Sequence, residues 1–377
     1  MDIVTLETPS LILDISKVKK NITHIHKRME NLGVNLRPHG KTAKNIDVIK
    51  MSLDGQAGGI TVSTLKEAEY YFSHGIIDIV YAVGIAPKKL DRIADLIKKG
   101  ANITLILDSI EQVKFVAAKG QEYDCNIPVL IELDCDGHRS GVTADGSLLL
   151  DIGHLLNGEQ GVTLRGVLTH AGESYQCKST EEIRVLAETE RDMAVKSAEI
   201  LRENGLPCPI VSVGSTPTAN FAEDLTGVTE VRAGVFMFYD LVMAGLGVCD
   251  TSDIAVSVLT SVIGHQKRKG WVITDAGWMA LSRDRGTASQ KVDQGAGLVC
   301  NVEGEPLNDL IVSGTNQEHG IISNRTNKEI DWESLGIGSM VRIMPNHACA
   351  TSAMYDFYYV TDGSTKIVDV WERVRGW

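Results

Sequence analysis

Between about residues 30 and 245 the chain alternates short aliphatic, β-branched runs with stretches whose apolar positions recur at helical spacing. The β-type runs fall at 34–37, 59–62, 78–83, 103–107, 128–133, 164–169, 209–213 and 229–233. Helical patterns follow at 42–53, 64–73, 110–118, 147–156, 180–204 and 217–223, and one more opens at Pro87 and closes near Gly100. Strands that alternate with helices form a parallel sheet, and eight such units predict a closed barrel. An open doubly wound sheet would carry G-x-G-x-x-G after its first strand, and the chain has none there. Beyond residue 250 the rhythm changes: 255–263, 270–274, 297–302, 309–312, 338–344, 355–361 and 365–371 are β-rich with no long helical stretch between them. The predicted architecture is therefore α/β. A (β/α)8 barrel over 11–248 precedes a mainly antiparallel β domain over 249–377, with 1–10 available to pair with the latter.

Composition narrows the class. At 377 residues the chain exceeds one ordinary core. A net charge of −12 argues against nucleic acid and anionic membrane as partners. No apolar run reaches the length of a membrane span, and the N-terminus lacks the pattern of a signal peptide. Seven cysteines without regular spacing suit a reducing cytoplasm better than a disulfide framework.

Barrels of this kind place chemistry at the C-terminal ends of their strands. Arg37-Pro38-His39-Gly40-Lys41 follows the first run, Asp134-Cys135-Asp136-Gly137-His138-Arg139-Ser140-Gly141 the fifth, and Thr169-His170-Ala171-Gly172-Glu173-Ser174-Tyr175 the sixth. Gly214-Ser215-Thr216-Pro217-Thr218 follows the seventh, and Arg232-Ala233-Gly234 the eighth. Turns rich in glycine and hydroxyl groups at the last two strands can bind phosphate through backbone N–H groups and the Ser215 and Thr216 hydroxyls. The same residues also read as a plain helix cap. A lysine at a strand end facing such turns, Lys41, has the minimum equipment for pyridoxal phosphate, which unites an aldehyde with a phosphate. Near the C-terminus, Pro345-Asn346-His347-Ala348-Cys349 follows an apolar run. In an extended segment His347 and Cys349 would point to one side and converge on one metal ion. A thiolate beside an imidazole suits zinc, and two protein ligands leave positions open for water and substrate. Taken alone, a histidine and a cysteine at this spacing are more often ordinary core residues.

Taken together, the motifs at 37–42, 136–141, 214–218 and 345–349 resemble the alanine-racemase-like (fold type III) pyridoxal-phosphate enzymes, in the D-serine dehydratase and D-threonine aldolase branch. The resemblance runs over essentially the whole chain. It implies that Lys41 is the Schiff-base lysine and the base at the substrate α-carbon. It further implies that His170 stacks on the cofactor ring, Arg139 lies near the ring oxygen and Tyr175 lines the pocket. Ser215, Thr216, Gly234 and Val235 hold the phosphate, and His347 and Cys349 bind a divalent metal. The implied activity is dehydration of D-3-hydroxy amino acids, such as D-threo-3-hydroxyaspartate or D-serine, to a 2-oxo acid and ammonia, by a homodimer. Aldolases of the branch carry aspartate where Cys349 stands, so the thiol favours the dehydratase over retro-aldol cleavage to glycine and an aldehyde. A racemase would add a tyrosine from the β domain, and a non-catalytic pyridoxal-phosphate carrier would need neither the second domain nor the metal pair. Asp275-Ala276-Gly277-Trp278-Met279 and Asn316-Gln317-Glu318-His319-Gly320 are further candidates for contacts at the metal, His319 foremost. Arg283, Arg285 and Arg342 are candidate cations for a β-carboxylate.

Overall fold

A computed structural model describes residues 1–377 apart from Ala57, Asp145 and the side chain of Asn308. It divides into two compact units, Met1–Thr23 with Val235–Arg375, and His24–Gly234 with Gly376–Trp377. Strand β1 (Ser10–Asp14) belongs to the first of these. The other unit carries β2 (Asn35–Pro38), β3 (Ile60–Val62), β4 (Asp78–Tyr81), β5 (Asn102–Leu107), β6 (Ile127–Leu133), β7 (Val162–Thr169), β8 (Ile210–Val213) and β9 (Glu230–Ala233). These are the eight runs expected from the sequence, each within a few residues.

All neighbours in this sheet pair in parallel, in the order β2-β9-β8-β7-β6-β5-β4-β3. The two edge strands nearly close the barrel through a parallel bridge between His39 and Thr61 and a 2.8 Å hydrogen bond from Gly40 N to Thr61 O. The seam therefore lies one residue before Lys41. An apolar cluster of Val80, Ile106, Leu130 and Leu168 takes one side chain from each of β4, β5, β6 and β7. Strands β2 and β9 also bury charged residues, Arg37, Glu230 and Arg232. Arg37 binds Glu230 (Nε to Oε2, 2.7 Å) and Asp78 (Nη2 to Oδ2, 3.0 Å), so β2 is tied to β9 and, past β3, to β4. Ser212 Oγ donates to Glu230 Oε1 at 2.6 Å, and the Arg232 guanidinium donates to Ser212 Oγ and to Thr169 O.

In the other unit a nine-stranded sheet forms from β1, β10 (Val256–Gln266), β11 (Trp271–Thr274), β12 (Leu298–Cys300), β13 (Pro306–Thr315), β14 (Gly320–Asn324), β15 (Met340–Met344), β16 (Phe357–Thr361) and β17 (Ile367–Glu372). Six strands, β10-β11-β14-β13-β12-β15, close on themselves because β11 also pairs with β10. Every pairing is antiparallel except β1 with β16. The sequence pattern missed β14, a five-residue strand that follows a polar hairpin turn. It also assigned only 1–10 to this side, whereas β1 lies between β10 and β16. No helix among the described residues is long and apolar enough to cross a membrane.

Replacing Arg37 with Met takes the ion-pair partner from the buried Glu230 carboxylate and leaves it only the Ser212 hydroxyl, so the expected loss is about 3–5 kcal/mol. Urea unfolding of R37M and of the double variant R37M/E230M checks this, and the double variant is expected to recover most of the loss.

Candidate active site

Several strand-end loops of the barrel are shaped by acidic side chains that accept backbone N–H groups. Asp134 Oδ1 accepts from Asp136 N (3.2 Å) and Gly137 N (2.7 Å), and Asp108 Oδ2 accepts from Gly141 N (3.0 Å). These bonds fold 134–141 back onto the end of β6, where Val142 bridges to Leu133, and leave Arg139 exposed. Gly141 has φ +121° and a Cβ there would lie 2.4 Å from Leu133 C, so glycine is required. The next loop is tied to this one by Glu173 N to Asp136 Oδ2 (2.8 Å) and by Glu173 Oε1 against His138 Nδ1 (2.8 Å).

Glu190, on the helix Thr180–Glu203, is buried, and its Oε1 accepts from both Ala171 N and Gly214 N at 2.9 Å. One carboxylate oxygen thus holds the loops after β7 and β8 together. Burial raises its pKa and the backbone bonds oppose the rise. This residue escaped the sequence reading because a glutamate inside a long helix looks like a solvated face.

His170 stands between the two clamped loops. Its Nδ1 donates to Gly214 O at 2.9 Å, and its ring centre is 6.2 Å from that of Tyr175. Desolvation lowers its pKa to about 3, with Lys41, Arg139 and Arg232 adding to the fall. The imidazole is neutral at physiological pH, with a fixed tautomer. His39 behaves similarly: desolvation first, then the charges of Lys41, Arg232 and His170, push it well below its ordinary value. Its Nδ1 accepts from Lys41 N at 3.4 Å and its Nε2 faces Ser63 Oγ at 3.3 Å. Lys41 is exposed, three residues past the end of β2. The structure therefore gathers Lys41, Arg139, His170 and Tyr175, and adds His39 and Arg232, which the sequence contained in quoted motifs without marking them.

Ser215 is the N-cap of the short helix Thr216–Phe221, in a capping box with Thr218, and its Oγ also meets Ser174 Oγ at 2.8 Å. Its hydroxyl is committed to the cap; Thr216 is buried beside it. After β9, a Cβ on Gly234 would come within 3.0 Å of His39 Cβ and 3.1 Å of Thr42 Oγ1, so this turn lies flush against the Lys41 loop. Val235 follows as the buried start of a 3-10 turn.

In the β unit, the extended geometry expected for His347 and Cys349 does not occur. The strand β15 ends before Pro345, and His347 is the N-cap of a helix, Ala348–Ser352, that carries Cys349. The turn forms because Asp240, itself buried, accepts from Ala348 N at 3.0 Å. Asn346, also buried, reaches Thr287 Oγ1 (2.9 Å), Gly295 O (2.7 Å) and Asp284 O (3.2 Å). The imidazole and thiol still come within hydrogen-bond reach of each other. Asp284, which the sequence did not mark, binds His347 Nδ1 through Oδ2 at 2.6 Å. Burial opposes a charge on His347, but Asp284, Cys349 and Asp240 outweigh it and raise the pKa to about 11. Anionic surroundings that favour an imidazolium equally favour a cation held by the same groups, and a carboxylate on the far ring nitrogen is the usual brace of a metal-binding histidine. Among the described residues no group of three or more His, Cys, Asp and Glu is placed to hold a metal ion, so the candidate donors are the His347–Cys349 pair. The donor set fits an ion with open positions.

The remaining candidates, at 275–279 and 316–320, lie in the same unit. Asn316–His319 is the exposed turn of the β13–β14 hairpin, closed by Asn316 N to His319 O at 2.8 Å. Asp275 accepts from Thr8 Oγ1 and Thr260 Oγ1, both at 2.6 Å, which anchors the N-terminal segment to β10. All seven cysteines are free thiols.

An eight-stranded barrel with a lysine at its seam, joined in one chain to a β unit with a histidine–cysteine pair, defines an alanine-racemase-like architecture. The chain matches the alanine racemase N-terminal domain family over residues 13–241 and a serine dehydratase domain over 255–361. It belongs to that family. It is 50% identical to the D-threo-3-hydroxyaspartate dehydratase of Delftia sp. (strain HT23), over 100% of this chain and 99% of the relative. It is 32% identical to the D-serine dehydratase of Dictyostelium discoideum, over 100% and 98%. The solved structure of the Delftia enzyme superposes with a TM-score of 0.96 at 49% identity, covering 100% of each chain. A solved cysteine-to-alanine variant of that dehydratase, described as the metal-free form, superposes equally well, with TM-score 0.96 and 49% identity over 100% of each chain.

Two outcomes follow. Because the folded-state pKa of His170 lies near 3, its contribution to stability is present above its unfolded value of about 6.5 and is lost as pH falls toward 3. The unfolding free energy of H170N is expected to fall less than wild type over that window, read by urea titrations at several pH values. Asp284→Asn removes the brace on His347 and is expected to weaken divalent-ion binding roughly ten- to a hundredfold, measured by competition with a chelator.

Proposed function

We propose that the protein is a pyridoxal-phosphate- and divalent-metal-dependent lyase that dehydrates D-3-hydroxy amino acids, with D-threo-3-hydroxyaspartate and D-serine as substrates, to a 2-oxo acid and ammonia. The observation that carries it is the His347–Cys349 pair braced by Asp284. A base alone removes an α-proton, but losing hydroxide from the β-carbon needs an electrophile at the departing oxygen. The names of the two relatives and the metal-free form of the cysteine variant support the same reading.

The residues of the barrel unit serve the α-carbon. Lys41 Nζ would hold the cofactor aldehyde and, when free, would receive the α-proton. Bound pyridoxal phosphate supplies the sink for the electron pair left at that carbon. His170, neutral and fixed by Gly214 O, offers a flat, uncharged ring against which an aromatic cofactor stacks. Arg139 provides the cation for the ring oxygen, and Tyr175 lines the pocket. The turn at Ser215 and Thr216, with Gly234 and Val235, would receive the phosphate. The Ser215 hydroxyl keeps the turn in shape.

Residues of the β unit serve the β-oxygen. His347 and Cys349 hold the ion, Asp284 sets the ring tautomer, and Asp240 sets the turn. A divalent ion there supplies Lewis acidity for the departing hydroxyl, and a thiolate with an imidazole favours zinc. Water loss releases an enamine that hydrolyses to the 2-oxo acid and ammonia.

Protein reconstituted with pyridoxal phosphate and zinc is expected to absorb in the visible and to release ammonia from both substrates. Lys41→Ala is expected to lose the visible band and at least roughly 10³-fold in turnover. Full dehydratase activity of C349A with the metal chelated would refute the role given to the ion. Glycine and an aldehyde from D-threonine, without ammonia, would identify an aldolase instead.

A further inference from the structure

A 3-hydroxyaspartate differs from serine by a second carboxylate on the carbon that bears the hydroxyl. Its charge must be met close to the groups that hold the β-oxygen, in a chain whose net charge is −12. Three arginines lie in or beside the segments that build the His347–Cys349 turn, and the structure separates them. Arg342, on β15, is buried, with Nε donating to Ser257 Oγ at 2.8 Å and Nη1 directed to Val302 O at 3.4 Å. It is engaged within its own sheet. Arg285 is neutralised by Asp293, Nη2 to Oδ2 at 2.7 Å.

Arg283 differs from both. It is exposed and makes no ion pair among the described residues. Its guanidinium lies over the Trp278 ring, 4.2 Å from the ring centre. Stacking occupies the flat face of a guanidinium and leaves its N–H donors free in the plane, where they match a carboxylate in bidentate fashion.

Both chain neighbours of Arg283 are tied to the metal-binding turn. On one side Asp284 binds His347 Nδ1 at 2.6 Å and is fixed further by Gly286 N to its Oδ1 at 2.9 Å. On the other, the short helix Trp278–Leu281 is bound to the helix that carries Cys349. Thr351 Oγ1 donates to Leu281 O at 2.7 Å, and Tyr355 OH donates to Ala280 O at 3.1 Å. Between the two stands Ser282 at φ +73°, a left-handed conformation seldom adopted by a residue with a side chain, which turns the chain from the Trp278 helix toward Asp284. One cation without an acidic partner is thus held on a fixed ring, one residue from the carboxylate that orients His347.

We propose that Arg283 receives the β-carboxylate of a dicarboxylic 3-hydroxy amino acid and so sets the preference for 3-hydroxyaspartate over serine. This deepens the dehydratase reading and rests on it. The test compares wild-type holoenzyme with R283Q, R283K and R285Q. For R283Q the ratio of kcat/KM for D-threo-3-hydroxyaspartate to that for D-serine is expected to fall roughly ten- to a hundredfold, with the change in KM rather than kcat. R283K is expected to restore part of the ratio, and R285Q to keep it. Calorimetric binding of malate against lactate gives a second readout, in which R283Q is expected to lose the preference for the dicarboxylate. A ratio unchanged in R283Q, or an equal loss on both substrates with malate binding retained, overturns the assignment. Should wild-type protein dehydrate neither substrate, the dehydratase reading fails. Malate binding then still judges Arg283 by itself: preference for the dicarboxylate lost in R283Q upholds its role as a carboxylate receptor, and unchanged binding overturns it.

Discussion

The barrel depends on charges that cannot be left alone. Arg37, Glu230 and Arg232 are buried on two neighbouring strands, and each would be strongly destabilising without its partners. The pairing of Arg37 with Glu230 and Asp78, and of Arg232 with Ser212 and Thr169 O, satisfies them only when β2, β4, β7, β8 and β9 keep one relative register. An apolar interior would tolerate small slips of register, because burial is non-directional. A hydrogen-bonded one does not. The strand ends are thereby placed, and Lys41, His170 and the turns at 214 and 234 inherit their positions from them.

A second device shapes the loops in both units. Carboxylates accept backbone N–H groups at Asp108, Asp134, Asp136 and Glu190 around the barrel, and at Asp240 and Asp284 in the β unit. Part of the acid excess that the composition displays is therefore internal, holding polypeptide turns in shape. Charge-assisted bonds of this type are shorter and stiffer than neutral ones. They give irregular loops the rigidity that chemistry at a strand end requires. The two histidines beside Lys41 stay neutral for the complementary reason, since desolvation and neighbouring cations disfavour a further positive charge.

Around residue 347 the electrostatics reverse. Here the neighbours are anionic, and positive charge is welcome. The contrast separates the two units: neutral imidazoles beside an amine in one, and an imidazole held positive by its anionic neighbours in the other.

The eight barrel strands and most of the antiparallel ones were legible in the sequence, because alternating burial imposes a period that survives without knowledge of the fold. So were the positions of Lys41 and the Gly-Ser-Thr-Pro-Thr turn at strand ends and the proximity of His347 to Cys349. Their types or spacing carry chemistry by themselves. The reason given for that proximity was mistaken, since the pair sits on a helix start and not an extended strand. The clamps made by Glu190, Asp240 and Asp284 were not legible, because they reach partners 19 to more than 100 residues away, as in Glu190 with Ala171 and Asp240 with Ala348. The sequence by itself determined which elements form and which reactive side chains stand at their ends. Only the tertiary structure decided which carboxylate grips which backbone N–H and which arginine stays without an acid, because those choices are made between segments that meet solely when the strands have closed.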